Sequence, residues 1–205
     1  MVIGVELNDV LRNYRAHFLE VYNKFIDATY EPDEESRETF DLGQAFPFIT
    51  DDEYRTFRYV DYAYELNARA SECTPSLNTK FLKWTSTDLM DVDRDKVPEL
   101  MVFSALEANL TIQATIAYLS TSLCRARTIY FPVDSTKIWD KCDIVITANP
   151  NILEAKPEGK ISIKIEQEYN KEAEADYTFE NMAAVIDDPE RTIIKILEKD
   201  NEEEQ

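Results

Sequence analysis

Glycine is almost missing from this chain, with Gly 3 in 205 residues. The P-loop and the G-x-G-x-x-G turn both need glycines so that backbone N–H groups can approach a phosphate closely. ATP or NAD binding by either route is therefore excluded. Cysteine is also scarce: Cys73, Cys124 and Cys142 are odd in number, far apart and without C-x-x-C spacing. That excludes a disulfide framework and a zinc site and predicts reduced core thiols. The single histidine, His17, falls on the first predicted helix, where a surface or boundary role is expected.

Positive charge is the next shortage. Lys+Arg 22 against Asp+Glu 41 leaves a net charge of -19, with part of the excess in the tail from Glu198 to Glu204. Such a field repels nucleic-acid backbones and anionic membranes, so the expected partners are other proteins or small molecules. No apolar run approaches the roughly 18 residues of a membrane span, and no basic stretch followed by an apolar one opens the chain. The expectation is a protein not exported by a signal peptide and placed in a cytoplasmic setting.

What the chain does have is apolar and aromatic mass: 44% hydrophobic residues, with Tyr 11, Phe 10 and Trp 2. That is enough for one folded domain, with room for a small inserted subdomain. Val2–Val5 reads as a strand buried on both faces, and Val10, Tyr14, Phe18, Val21, Tyr22 and Phe25 recur at helical spacing. Residues 29–96 lack strand alternation and read as a helical insertion, with turns at Pro75 and Asp91–Asp95 and a Tyr54, Phe57, Tyr59, Tyr62, Tyr64 run serving as subdomain core or contact face. The strand and helix rhythm then resumes through Leu100–Phe103, Thr111–Leu123, Thr128–Val133, Thr136–Lys141, Asp143–Ile146 and Ile161–Ile165. An open, mostly parallel α/β sheet is predicted, with ligands expected beyond the carboxyl ends of its strands.

At those strand ends stand Glu6-Leu7-Asn8-Asp9, Ser104, Lys137 and the stretch Ile146-Thr147-Ala148-Asn149-Pro150, followed by Ile165-Glu166-Gln167-Glu168-Tyr169-Asn170. This frame resembles the haloacid-dehalogenase-like superfamily, and within it the deoxyribonucleotidase branch. The resemblance implies a three-layer Rossmann-like core over 1–28 and 97–170, a helical cap over 29–96 and a helical, acidic C-terminal extension over 171–205. It also implies a mechanism with an aspartate nucleophile, a second aspartate as acid and base, a Ser/Thr and a Lys on the phosphoryl oxygens, and acidic residues completing a magnesium site. Carried onto this chain, the nucleophile position is Glu6 and the acid/base position Asn8. The oxyanion-holding positions are Ser104 and Lys137, and the late acidic pair is Thr147 and Ala148.

Glu6 is one methylene too long for a tightly fixed in-line attack, and Asn8 exchanges no proton near neutral pH. Thr147 and Ala148 bring no carboxylate to a cation that wants hard oxygen ligands. The expectation is a pseudo-phosphatase, with no catalytic residue and no cofactor, serving as a structural or assembly protein in an oligomer. The chain is also similar to nucleotidase-like proteins of crAss-like tailed phages, which implies a virion component such as a head-to-tail connector ring, found in the virion or the host cytoplasm. Two alternatives stay open: a weakly active, magnesium-dependent nucleotidase using Glu6, and a nucleotide-binding regulator holding phosphate on Ser104 and Lys137. For the assembly reading, the expected contact faces are residues from Asp51 to Leu89 or the acidic segment after Asn170.

Overall fold

A computed structural model describes residues 1–88, 98–105, 107, 109–121, 128–188, 192, 193 and 195. Cys124, the Asp91–Asp95 turn, Leu89 and the acidic tail lie outside them. In chain order the elements begin with β1 (Val2–Glu6) and α1 (Tyr14–Phe25), then α2 (Glu34–Glu38), α3 (Leu42–Ala45) and α4 (Asp51–Thr56). A π-helical turn at Phe57–Asp61 leads to α5 (Ala63–Ala68) and α6 (Leu77–Lys83), the latter ending in a second π-helical turn, Trp84–Asp88. Next come β2 (Glu99–Phe103), α7 (Asn109–Thr121), β3 (Thr128–Tyr130), a 3-10 turn at Ser135–Asp140, β4 (Ile144–Thr147) and α8 (Pro150–Glu154). The last are β5 (Ile161–Ile165), a 3-10 turn at Glu168–Asn170, β6 (Tyr177–Phe179) and α9 (Met182–Ile186).

The strands form one six-stranded sheet in the order β3-β2-β1-β4-β5-β6, and every pairing is parallel. Strand alternation sends side chains to two cores, which is why Val2–Val5, Leu100–Phe103 and Ile144–Ile146 read as continuous apolar runs. Ile3, Val5, Val102, Ile144, Ile146, Ile163 and Ile165 pack with Leu77, Phe81, Tyr118 and Met182 from α6, α7 and α9. Met101, Phe103 and Val145 turn the other way, onto Ile138, Trp139 and Ile152. The result is the predicted α/β fold in three layers. Gly4 sits on the second face where space runs out, since a Cβ there would lie 2.7 Å from the Cys142 Sγ.

A third core belongs to the insertion. Phe18 of α1 is wholly buried and meets the rings of Phe46 at 4.7 Å and Phe57 at 5.3 Å. Tyr14, Val21 and Tyr22 join Leu42, Phe57 and Leu66 there, so α1 buries its apolar stripe against the insertion. From the aromatic run, Phe57, Tyr54 and Tyr62 pack into this cluster, while Tyr64 is 59% exposed. His17 is a boundary residue, its ring within hydrogen-bonding distance of Glu20 and the Glu65 carbonyl oxygen.

Sheet and insertion meet through the loop after β1. β6 was not anticipated: only three residues long and with exposed Tyr177 and Thr178, it carries no apolar alternation.

Candidate functional site

β1 and β4 are neighbours with Val5 opposite Ile146, which puts Glu6 beside Thr147 at the carboxyl ends of the central strands. Parallel sheets collect ligands there. The extra methylene of Glu6 carries its carboxylate across to β4, where Oε2 accepts hydrogen bonds from the Thr147 hydroxyl and from the Ala148 N–H at 3.1 Å. Thr147 Oγ1 in turn accepts from the Asn149 N–H at 3.0 Å. Glu6 is 6% exposed. Burial pushes its carboxyl up to about 7, against the lowering effect of those hydrogen bonds. Three positions of the resemblance, Glu6, Thr147 and Ala148, therefore close on one another.

The loop after Glu6 folds back on itself through Arg12 N–H to Leu7 O at 2.8 Å and Asp9 N–H to Arg12 O at 2.7 Å. Asp9 takes a left-handed backbone, φ 58, a conformation that Asp tolerates better than most residues. This turn swings the Asp9 carboxylate away from Asn8, and it accepts from the Arg15 N–H at 2.8 Å and the Tyr169 hydroxyl at 2.9 Å. Burial raises the Asp9 pKa above its usual value. The same turn brings the side chain of Arg12 back over Asn8, whose Oδ1 accepts from Nε at 3.0 Å and Nη2 at 2.5 Å.

Arg12 has no solvent exposure at all. Its other contacts tie the loop to the insertion and to α7: Nη1 donates to the Asn67 carbonyl at 2.7 Å and to the Thr115 hydroxyl at 3.1 Å, and Nη2 to Asn67 Oδ1 at 3.2 Å. The countercharge is Glu107, with Oε1 3.6 Å from Nη2. Ser104 donates its hydroxyl to that same Glu107 oxygen at 2.6 Å. Asn8 and Ser104 thus converge on one buried ion pair. Lys137 stands on the 3-10 turn next to Asp134.

A cavity of about 370 Å³ opens between those strand ends and the insertion, with Glu6, Asn8, Asn149, Tyr14, Tyr59 and Arg58 among its walls. A second, of about 540 Å³, lies on the other side of Asp9 against Gln167, Tyr169 and Asn181. Among the described residues no group of three His, Cys, Asp or Glu side chains is placed to hold a metal ion. No described helix is long and apolar enough to cross a membrane.

With this geometry in view, comparison with solved structures shows what the architecture is. Over 93% of its length the chain overlays 96% of a haloacid dehalogenase-like hydrolase from Burkholderia xenovorans LB400, with a TM-score of 0.57 and 10% identity. This is the haloacid dehalogenase-like fold. Two further structures overlay more loosely. One is a haloacid dehalogenase-like family hydrolase from Xanthomonas campestris, with TM-score 0.48 and 9% identity over 96% of this chain and 95% of that one. The other is a dehalogenase with an intermediate complex, with TM-score 0.46 and 13% identity over 89% and 93%. No protein-family model matches the chain, and no curated protein matches its sequence.

Arg12, Glu107 and Arg58 were missed by sequence reasoning. The spacings that could have exposed the first two are Asn8 to Arg12, one helical turn, and Ser104 to Glu107, three residues. Nothing in the sequence distinguishes Arg58 from a solvated arginine.

Proposed function

We propose that this chain is a haloacid dehalogenase-like protein without phosphatase chemistry, kept as a structural or assembly subunit. The observation that carries the reading is the capture of Asn8 by the buried Arg12–Glu107 pair. An acid/base group must be free to meet a leaving group, and Asn8 is neutral and bound to a guanidinium. Magnesium does not fit these residues. It requires several hard oxygen ligands with carboxylate charge, whereas Glu6 is committed to Thr147 and Ala148, and Asp9 to Arg15 and Tyr169. Each step of the lost chemistry is worth roughly 10² or more in rate, so the combined loss leaves no useful turnover.

Support for the assembly half comes from the surface of the insertion, where Ile49 is 88%, Val60 60% and Tyr64 59% exposed. Large apolar side chains left in water on a cap are suited to contact with other protein chains. A virion ring component is the finer form of this reading and rests on the sequence resemblance. The experiment is hydrolysis of nucleoside monophosphates and an aryl phosphate in millimolar magnesium, expected to stay at background. Turnover that Glu6→Gln abolishes overturns the proposal in favour of a nucleotidase. For assembly, Val60→Asp with Tyr64→Asp is expected to block incorporation into the native complex while the monomer stays folded; unchanged incorporation refutes that half.

A further inference from the structure

On the side of α4 turned away from the strand ends, apolar side chains form a groove of about 360 Å³. Its walls come from Ile26 just past α1, from Phe48, from α4, and from the π-helical turn Phe57–Asp61 with Tyr62 after it. The helical twist divides α4 between two surfaces: Asp52, Glu53 and Thr56 turn to the groove, while Tyr54 and Arg55 turn to the strand-end cavity. Phe57 is the buried floor, and the ring of Phe25 stacks on Tyr62 at 4.5 Å. Ile26 is 48% exposed, Phe25 44%, and Ile49, next to Phe48, 88%. Large apolar side chains gathered in one place, unlike single exposed ones, mark a contact surface.

The rim has one sign of charge. Asp52, Glu53 and Asp61 line the groove and are exposed, and among the described residues none of the three forms an ion pair. Glu53 accepts from the Ile49 N–H at 2.7 Å, which holds its carboxylate at the groove's edge. Arg55 and Arg58, the cations of the same helical segment, line the strand-end cavity instead, and Lys24 is paired with Glu65. An apolar centre ringed by uncompensated carboxylates complements apolar side chains flanked by Lys or Arg. A second copy of this chain fits poorly, since each copy carries -19 and would set acid against acid. α4 and the π-helical turn use their backbone groups within their own turns. An extended peptide therefore finds no strand edge to pair with there, and the occupant must bind through side chains, as a helix laid in a groove does.

We propose that this groove docks a basic amphipathic helix of another protein. Apolar side chains of that helix sit on Ile26, Phe48 and Tyr62, and its Lys and Arg side chains reach Asp52, Glu53 and Asp61. The inference rests on the assembly reading and adds to it the chemistry of the partner.

Fluorescence anisotropy of a labelled helical peptide, with leucines along one face and lysines on the other, tests it against the full chain. The peptide is expected to bind, and versions with serine for leucine or glutamate for lysine to bind about tenfold or more weakly, because each loses one half of the match. Asp52→Asn with Asp61→Asn should weaken the leucine-lysine peptide about threefold or more, the effect of two exposed ion pairs. Ile26→Ser, at a half-exposed position, should weaken it as well and serves if the paired variant misfolds. Glu154→Gln with Glu158→Gln removes the same charge from exposed positions between α8 and the amino end of β5 and should leave affinity unchanged. No binding at submillimolar peptide, equal binding of the serine peptide, unchanged affinity in a folded groove variant, or an equal loss in the Glu154→Gln, Glu158→Gln protein overturns the proposal. So does self-association of the chain that Ile26→Ser abolishes, which would make the occupant a second copy. Incorporation of the Val60→Asp, Tyr64→Asp protein decides the assembly reading, whereas peptide affinity decides this one, so the two failures are distinguishable.

Discussion

Replacing Arg12 with methionine removes the joint between the β1 loop, the insertion and α7. The guanidinium is fully buried, and its countercharge Glu107 is 4% exposed in its side chain. In the variant Glu107 remains in the interior, where the hydroxyls of Ser104 and Thr115 donate to it at 2.6 and 3.3 Å but no guanidinium matches its charge. The oxygens of Asn8 and Asn67 lose their donors as well. Breaking one side of a buried ion pair costs about 3–5 kcal/mol, most of it the penalty of an unmatched charge. At about 2–4 °C per kcal/mol for a chain of this size, the midpoint of thermal unfolding should fall by about 6–20 °C. Urea unfolding followed by far-ultraviolet circular dichroism measures the loss directly. Arg12→Met with Glu107→Gln should recover about 1–3 kcal/mol of it, because the stranded charge is gone. A loss below about 1 kcal/mol in the single variant, or no recovery in the double one, would refute the view that this pair holds core and insertion together.

Glu6 titrates at about 7 in the folded protein against an ordinary 4.5, so the native state holds its proton more tightly than the unfolded chain does. Its stabilising effect is therefore complete below about pH 4.5 and is lost as pH rises toward 7, by up to about 3 kcal/mol. Glu6→Gln should lack that slope, and the stability difference between variant and wild type measured in urea at pH 5 and pH 8 should grow in the variant's favour; a constant difference refutes the burial argument. Gly4→Ala forces a methyl to 2.7 Å from the Cys142 Sγ, with an expected cost of about 1–3 kcal/mol. Adding Cys142→Ala should return part of that in the same unfolding assay, and no recovery would show that the strain lies elsewhere.

The sheet was legible because Val2–Val5 and Leu100–Phe103 are uninterrupted apolar runs, the mark of strands covered on both faces, and because Ile161–Ile165 alternates isoleucine with Ser162 and Lys164. α1 was legible from its 3.6-residue spacing, though not the core it would join, since an apolar stripe does not name its partner. β6 escaped because Tyr177–Phe179 is too short for a period to show. Sequence alone set Glu6, Asn8, Thr147 and Ala148 apart as departures from the pattern of the family it resembles. What they do instead depends on contacts across long separations, such as Glu6 with Thr147 and Arg12 with Glu107. Lys137 looked equivalent to Ser104 in the linear frame, yet only the fold reveals that Ser104 donates to Glu107 while Lys137 sits on the Ser135–Asp140 turn.

A pseudo-phosphatase requires that Glu6 does not attack phosphorus. The most direct measurement is the initial rate of aryl phosphate hydrolysis in millimolar magnesium for the purified wild type and Glu6→Gln side by side. Indistinguishable rates, both at the level of the buffer alone, are the predicted result. A wild-type rate above background that disappears in Glu6→Gln contradicts it and makes the chain an enzyme.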